Sequence, residues 1–308
     1  MNELEANQEK LRRLRRKRWE AERRRKRRVR LAALGAIVIA AVGIAAVIVT
    51  RDNPKSGGDA NGVQAKADSP GVTGGEAPAR NLADWQPWRG PVPILMYHPI
   101  QDPIPGTAYP DLFLTRRDFI EQIDWLEQAG YEAVTLTEVL DSWFEGGRLP
   151  PKPIVLSFDD GYQSQYLNGF LTMKRLGWPG VLNLKAKGAD IHDDQVKKMI
   201  AGGWEVASHS VNHLDLTTLS ASQLDSEIVD SRSILDRKFG IQVTDFCFPA
   251  GRYDAQAIEA LRSAGYRSAT STETGLARPS DRWSLDRIRI DLGDGADELR
   301  SKLRSVGA

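Results

Sequence analysis

The sequence is poor in residues that cross-link the chain or bind metals. Its only cysteine is Cys247, so no disulfide can form within the chain and a lipid-modified N-terminal cysteine is excluded. Its only histidines stand at positions 98, 192, 209 and 213, and none follows residue 213. Any metal site or acid–base catalyst that needs histidine must therefore use these four positions.

Long apolar runs are equally scarce. The one long uncharged run extends from Leu31 to Val49, and as a helix it would be about 28 Å long, enough to cross the hydrocarbon core of a bilayer. We interpret residues 31–50 as an uncleaved transmembrane helix. A cleaved signal peptide is the alternative, but the segment before the run is long and no small-x-small pair directly follows it.

The charge of the chain is distributed unevenly. Residues 1–30 hold 14 Lys and Arg against five Asp and Glu, which leaves 28 basic and 36 acidic residues in the rest of the chain. The positive-inside rule predicts a cytoplasmic tail at 1–30 and an extracytoplasmic C-terminal part, in a single-pass protein of the cell membrane. We assign the basic charge to anionic lipid headgroups rather than to nucleic acid.

Residues 51–88 contain almost no large apolar side chain before Leu82 and are rich in Gly, Ala, Pro, Asp and Ser. Such a segment cannot bury enough surface to fold, so it is predicted to be a flexible, disordered linker. Trp85 and Trp88 end it, and we expect them to pack on the edge of the following domain. Stacking on sugars is the alternative for these two side chains.

From residue 89 to 308 the pattern predicts one α/β domain in which strands and helices alternate. Seven or eight βα units favour a closed parallel barrel over an open, doubly wound sheet. The predicted strands are 94–97, 133–136, 154–159, 180–184, 204–208, 245–248, 266–270 and 287–290. The predicted helices are 116–129, 137–144, 163–176, 193–201, 220–239, 254–264 and one that begins near 295.

Two adjacent carboxylates end the most apolar of these strands. The run Ile154–Phe158 is followed directly by Asp159, Asp160 and Gly161. Unpaired carboxylates inside a buried strand would be costly, whereas side chains at the carboxyl end of a strand in an α/β fold point into the ligand site. The alternative is a helix cap formed by Asp160 or by the nearby Ser164.

A second apolar strand ends close to a pair of histidines. His209 and His213 follow the strand 204–208, and their imidazoles share one face if the chain becomes helical after it. Two imidazoles and one carboxylate form a three-ligand metal site with an open position. An H-x-x-x-H pair alone occurs more often in a solvated turn, but beside the Asp–Asp motif it predicts a metal site.

Together these motifs resemble those of a known family. Ser157-Phe-Asp-Asp-Gly161 is similar to the first motif, and His209-Ser-Val-Asn-His213 to the second, of the polysaccharide deacetylases of the NodB-homology type, carbohydrate esterase family 4. The resemblance extends over roughly residues 91–308. It implies a distorted (β/α)7-type barrel and a metal-dependent enzyme that removes acetyl groups from amino sugars in chitin, peptidoglycan or exopolysaccharide.

The resemblance also assigns roles to the residues that match. Asp160, His209 and His213 would hold a divalent metal, with zinc expected and cobalt, nickel or manganese as alternatives. Asp159 would stay off the metal and act as the general base toward water.

The family ordinarily has a general-acid histidine near the C-terminus, and this chain has none. Tyr97-His98, at the end of the first predicted strand, resembles the circularly permuted branch of the family, which includes poly-N-acetylglucosamine deacetylases. His98 is therefore predicted to be the general acid. His192, in a polar loop before a helix, is the other candidate.

Phe246–Tyr253 resembles the third motif, a wall of the substrate groove that contains Pro249, Ala250 and Gly251. The backbone N–H of Ala250 could donate to the oxyanion. The usual arginine of this motif is replaced by Cys247, and the usual aromatic residue by Ala250 itself. Candidates for the missing arginine, which orients the catalytic Asp, are Arg287 first and Arg252 second. For Arg287, a surface salt bridge is the alternative.

The sequence thus predicts a membrane-anchored, metal-dependent hydrolase that acts on an acetylated glycan, with no nucleic-acid partner. Three alternatives remain. The missing arginine at Cys247 would suit a carbohydrate-binding relative without turnover. The same fold could also hydrolyse O-acetyl esters, or the chain could be an anchored interaction protein whose basic tail is the functional part.

Overall fold

The structure, a computed structural model, describes residues 80–308 of the chain. In this range strands and helices alternate from Ile94 to Val306. The strands are β1 (Ile94–Tyr97), β2 (Glu132–Ala133), β3 (Pro153–Asp159), β4 (Val181–Leu184), β5 (Glu205–Ser208), β6 (Asp245–Cys247), β7 (Ser268–Thr270) and β8 (Ile288–Arg289). The helices are α1 (Arg116–Gln128), α2 (Leu136–Phe144), α3 (Leu171–Met173, preceded by a π-helical turn, Gln165–Phe170), α4 (Asp193–Ala201), α5 (Ala221–Phe239), α6 (Ala255–Ser263) and α7 (Ala296–Val306).

The strands form one parallel sheet that curves into a half-barrel. Its order is β7-β6-β5-β4-β3-β1-β8, and β2 pairs with the first residues of β3. Within residues 80–308, a single isolated bridge between Thr270 and Leu285 joins β7 to the segment that leads into β8. The predicted parallel barrel is therefore correct in architecture, and its seam is short because β7 and β8 have only three and two residues.

Strand β3 lies inside the sheet, between β4 and β1, and is buried along its whole length. Its side chains are apolar on both faces, as expected for a parallel strand covered by helices. The ring of Phe158 lies 5.2 Å from the ring of Tyr97 and 4.9 Å from that of Trp204. The hydroxyl of Ser157 donates to the carbonyl of Leu95 at 2.7 Å, so the one polar side chain in the run is satisfied. This packing gives Asp159, the last residue of β3, a rigid support.

The predicted strand at 133–136 is too long at its C-terminal end. Strand β2 ends at Ala133, and helix α2 begins at Leu136. The reason is a capping box at Thr135: its hydroxyl accepts from the N–H of Glu138, whose carboxylate accepts from the N–H of Thr135. The capping box therefore starts a helix here, although the β-branched residues of this segment favour a strand.

Residues 80–88, which the sequence analysis places at the end of the linker, pack onto the domain. Trp85 is buried, and the guanidinium of Arg80 lies 4.6 Å from its ring. The N–H of Trp88 donates to the hydroxyl of Ser142. The packing expected for both tryptophans is thus observed.

The predicted tail at 1–30, transmembrane helix at 31–50 and linker residues 51–79 lie outside the described residues. Within residues 80–308, none of the helices combines the length and the apolar character needed to cross a membrane.

A pair of buried carboxyl groups lies at the amino-terminal edge of the sheet, opposite the strand ends that carry Asp159. Glu205 begins β5 and Asp245 begins β6. One Glu205 oxygen accepts from the N–H of Thr137 at 2.9 Å, and the other is buried without a partner in the described part of the chain. Burial, reinforced by the charge of Asp245, raises the pKa of Glu205 from its usual value of 4.5 to about 8.

This raised pKa predicts a stability that falls with rising pH. Between about pH 4.5 and 8 the folded chain keeps a proton on Glu205 that the unfolded chain has lost, so stability decreases as pH rises. Glu205→Gln removes the titration of this side chain and should make the slope shallower in thermal unfolding scans from pH 5 to 9. Burial also raises the pKa of Asp245, so part of the slope should remain. Glu259 is exposed, so the control variant Glu259→Gln should keep the slope of the native chain. A Glu205→Gln slope as steep as that of the native chain would contradict the assignment.

Candidate active site

The two adjacent carboxylates at the end of β3 point in different directions because the backbone turns between them. Asp159 keeps the extended conformation of β3, whereas Asp160 has a φ of +77° and Gly161 one of +75°. The N–H of Asp160 donates to the carbonyl of Asn183 on β4 at 3.1 Å. A Cβ on Gly161 would lie 2.5 Å from Leu184, so the tight turn also requires glycine.

The alternative of a helix cap is wrong. The helical segment that follows this turn has no side-chain cap bond at Ser164. The N–H groups of Tyr162 and Gln163 donate to the side chains of Gln165 and Asp190 rather than to Asp160. Instead, the hydroxyl of Ser164 accepts from the N–H of Ile100.

Asp159 is buried and accepts hydrogen bonds at both carboxylate oxygens. Arg287 donates to Oδ1 at 2.7 Å and to Oδ2 at 2.8 Å, in parallel. The side-chain amide of Asn183 also donates to Oδ1, at 2.7 Å. Burial alone would raise the pKa of Asp159, but the charge and hydrogen bonds of Arg287 outweigh it and hold the pKa well below its usual value.

Of the two arginine candidates, only Arg287 reaches Asp159. Its side chain is fully buried, and its Nε donates to the carbonyl of Ser271 at 2.7 Å, so it is not a surface salt bridge. Arg252 instead pairs with Asp215 at 2.8 Å on a half-exposed surface. Cys247, which stands where the third motif usually has arginine, lies with its Sγ 3.7 Å from Asp159 Oδ2.

Asp160 and the two histidines form a cluster that could hold a metal ion. The Oδ1 of Asp160 lies 3.8 Å from Nε2 of His209 and 3.5 Å from Nε2 of His213. The Nδ1 of His209 is 2.7 Å from the carbonyl of Cys247, which leaves Nε2 directed at Asp160. Burial and the neighbouring His209 lower the pKa of His213, which favours the neutral imidazole that a metal needs.

The helical turn that would place these two histidines on one face does not form. Residues 209–213 form an irregular loop in which Ser210 and His213 have φ values of +64° and +58°. The hydroxyl of Ser210 accepts from the N–H of His213 at 2.9 Å and closes the turn. A reverse turn therefore brings the two imidazoles together, with ring centres 4.8 Å apart.

His98 lies on the other side of Asp159, directly after β1. Its Nε2 is 3.8 Å from Asp159 Oδ2, and its Nδ1 is buried without a hydrogen-bond partner in the described part of the chain. Burial lowers the pKa of His98, while the charges of Asp159 and Asp160 oppose that change. The other candidate, His192, is exposed and is the N-cap residue of α4.

The groove residues of the third motif form a tight turn after β6. Ala250 is exposed with a φ of +51°, and its N–H donates to no acceptor among residues 80–308. It is therefore free to donate to a ligand. A Cβ on Gly251 would lie 2.0 Å from the hydroxyl of Thr272, so this position also requires glycine. Pro249 is buried beneath the turn.

Three residues near the carboxylates and the histidine loop were not predicted from the sequence. Asn183 binds Asp159, and the only signal for it is a polar side chain inside the buried strand β4. The Nζ of Lys185 lies 3.8 Å from Asp160 Oδ1, and its position directly after β4 could have suggested it. Glu227 on α5 binds the loop between the histidines, and no spacing in the sequence indicates that contact.

These groups lie at the carboxyl edge of a parallel barrel, where enzymes of this architecture carry out their chemistry. An ionised carboxylate stands beside, but apart from, a three-ligand Asp–His–His cluster. That arrangement is characteristic of a hydrolytic enzyme.

Comparison with known proteins identifies the family. Residues 146–269 match the family model for polysaccharide deacetylase. The chain is 30% identical over 220 residues to YxkH of Bacillus subtilis (strain 168), whose name places it among the polysaccharide deacetylases, covering 70% of this chain and 77% of that protein. The chain belongs to the polysaccharide deacetylase family, and it is a hydrolase of the carbohydrate esterase family 4 type.

Two further relatives agree with this assignment. The chain is 26% identical over 278 residues to the poly-beta-1,6-N-acetyl-D-glucosamine N-deacetylase of Escherichia coli O157:H7, covering 74% of this chain but only 41% of that protein. A solved structure, the Streptococcus pyogenes deacetylase PplD in complex with acetate, superposes with a TM-score of 0.65 at 26% identity. It covers 70% of this chain and 99% of PplD, so the half-barrel is the deacetylase barrel.

The buried pair of Asp159 and Arg287 predicts a large effect on stability. Arg287→Met leaves a buried carboxylate without its cation and should lower the free energy of unfolding by about 3–5 kcal/mol. The double variant with Asp159→Asn should recover most of this loss, because no unpaired charge remains. Denaturant unfolding of the single and double variants measures both.

The control is Arg252→Met, which breaks the half-exposed pair with Asp215. That change should lower the free energy of unfolding by no more than about 1 kcal/mol. An equally small loss for Arg287→Met would contradict the assignment of a buried ion pair.

Proposed function

We propose that the chain is a membrane-anchored, metal-dependent deacetylase that removes N-acetyl groups from an amino-sugar polysaccharide of the poly-β-1,6-N-acetyl-D-glucosamine kind. The observation that carries this proposal is the separation of the adjacent carboxylates: Arg287 holds Asp159, whereas Asp160 faces two imidazoles. The name of the Escherichia coli relative supports the substrate class.

Asp160, His209 and His213 would hold the metal. One ligand atom from each lies within 4.8 Å of the others, and a carboxylate oxygen with two imidazole nitrogens suits zinc. Such a cation supplies the Lewis acidity that polarises an acetyl carbonyl and acidifies water.

Asp159 acts as the general base and takes the proton of the attacking water. Its Oδ1 accepts from both Arg287 and Asn183, whereas its Oδ2 accepts from Arg287 and faces His98. The low pKa keeps Asp159 ionised throughout the physiological range, so the base form is always present. A carboxylate with a low pKa is a weak base, so its effectiveness depends on the acidity of the water it faces.

His98 donates a proton to the leaving amine, and the N–H of Ala250 donates to the oxyanion of the tetrahedral intermediate. Hydrolysis adds the water oxygen to the acetyl carbon, breaks the carbon–nitrogen bond and delivers a proton to nitrogen. The products are acetate and a free glucosamine amine. The 3.8 Å between His98 and Asp159 supports this assignment, because base and acid then flank one reaction centre.

A carbohydrate-binding protein of this family that lacks catalytic turnover is the less favoured candidate. Its main support was the absence of arginine at Cys247, and Arg287 makes the contact that such an arginine would make. Hydrolysis of O-acetyl esters is separated from the proposal by assaying acetate release from both N-acetylated and O-acetylated glycans.

Two conservative substitutions test the division of roles. Asp160→Asn should lose the metal, because an amide is a poor substitute for an anionic ligand. Asp159→Asn should keep the metal but lower kcat at least about 10²-fold, since general-base assistance is typically worth about 10²–10⁴. KM should change little, because the lost contact belongs to the transition state. The measurements are metal content and acetate release from poly-N-acetylglucosamine.

The reverse pattern, with metal lost in Asp159→Asn and kept in Asp160→Asn, would exchange the two roles. Native metal content and native activity in both variants would remove the active site from this position.

The anchoring part of the proposal rests on the sequence of residues 1–50. The basic tail before the apolar run favours a cytoplasmic N-terminus and an extracytoplasmic enzyme. An anchored deacetylase outside the membrane would have direct access to envelope or matrix glycan.

Protease added to intact cells or spheroplasts should digest residues 51–308 and leave the tail protected. A cytoplasmic marker protein serves as the control for lysis. A protected catalytic domain with an accessible tail would overturn this topology.

A further inference from the structure

The loop that carries the histidines has a conformation that its own residues disfavour. Ser210 and His213 both lie in the left-handed region, with φ values of +64° and +58°, and neither is glycine. Such backbone persists only where surrounding contacts enforce it. One contact is internal, from the N–H of His213 to the hydroxyl of Ser210.

Two external contacts come from the segment after β4, where the N–H groups of Ala186 and Lys187 donate to the carbonyls of Ser210 and Val211. The side-chain contact comes from Glu227 on α5. One of its oxygens accepts from the N–H groups of Val211 at 3.1 Å and Asn212 at 2.8 Å. The other accepts from the side-chain amide of Asn212 at 2.7 Å. These donors lie between the two histidines in the chain, so a single carboxylate binds the middle of the loop.

The side chain of Glu227 is committed to this loop. Its side chain is buried, and within residues 80–308 its hydrogen bonds are those to the loop, with no basic side chain paired to it. A buried carboxylate is tolerated only when it is satisfied, and hydrogen bonds to an ionised acceptor are stronger than neutral ones. The loop and Glu227 therefore depend on each other.

Helix α5 gives Glu227 a fixed position. Leu224, Ile228 and Leu235 bury one face of the helix in the core. The hydroxyl of Ser231 lies 2.7 Å from that of Ser208, the last residue of β5 and the one directly before His209. The helix thus holds both the start and the middle of the histidine loop.

We propose that Glu227 is a positioning residue that sets the metal affinity of the Asp160–His209–His213 cluster. It does so by holding the reverse turn that places His213 beside His209. This inference rests on the proposed metal site. It adds a carboxylate that touches neither metal nor substrate but determines whether the two imidazoles converge.

The test is metal binding by the full-length protein. Glu227→Gln is nearly isosteric, but it is neutral and one of its two oxygens becomes an NH2 donor, so the turn loses its charge-assisted hydrogen bonds. Removing an outer contact of this kind typically lowers metal affinity about 10–100-fold. Titration with Co²⁺ should show that loss, and the visible spectrum of the bound Co²⁺ should change because the ligand geometry changes. Neither effect is expected from a merely structural carboxylate.

Two variants complete the experiment. Asp230→Asn changes an exposed carboxylate on the same helix and should leave Co²⁺ affinity and spectrum unchanged. Asn212→Ala removes only the side-chain bond at an exposed position and should weaken Co²⁺ binding at least about threefold. If Glu227→Gln does not fold, Asn212→Ala decides the question.

The outcomes separate the two proposals. Native Co²⁺ affinity and spectrum in folded Glu227→Gln, or in Asn212→Ala where that variant decides, would overturn the role of Glu227. His213→Ala should still lose the metal in that case. A native protein that binds no Co²⁺, or binds it unchanged after His213→Ala, would instead contradict the metal site itself.

Discussion

The buried ion pair between Asp159 and Arg287 is the contact on which the site and the seam of the barrel both depend. Arg287 lies just before β8 and donates to Ser271, directly after β7, and to Ser157 and Asp159 of β3. It therefore links three strand ends at the place where the sheet is closed by one isolated bridge. The guanidinium that fixes the Asp159 carboxylate therefore also spans the seam of the barrel.

A buried pair of this kind is not a stabilising device in itself, because the desolvation of two charges offsets much of their attraction. The ion pair instead determines which of the two adjacent carboxylates faces the histidines. With both oxygens of Asp159 engaged, its neighbour Asp160 is the carboxylate left to face His209 and His213. Cys247 makes room for this arrangement, since a small thiol whose pKa is raised by burial stays neutral beside Asp159. The arginine reaches Asp159 from a different strand.

The sequence was sufficient for the parts of this account that depend on local pattern. A buried run ending in Asp-Asp-Gly placed two carboxylates at a strand end, and alternating strands and helices indicated the barrel. The histidines were paired for the wrong reason, because positive φ values at Ser210 and His213 cannot be read from residue types that rarely adopt them. Contacts over long separations, such as Glu227 with Asn212, leave no spacing signal at all. Arg287 was found only because a family pattern had an empty position to fill.

The central claim is that the metal binds to Asp160, His209 and His213 while Asp159 stays with Arg287. A competing group exists, because ligand atoms of Asp159, His209 and Cys247 also lie within 4.8 Å of one another. Anomalous diffraction at the zinc edge, from crystals of the protein soaked in Zn²⁺, distinguishes the two positions directly. The account predicts one strong peak among Asp160, His209 and His213, with both hydrogen bonds from Arg287 to Asp159 intact. A peak bonded to Asp159 and Cys247, with Arg287 displaced, would contradict it.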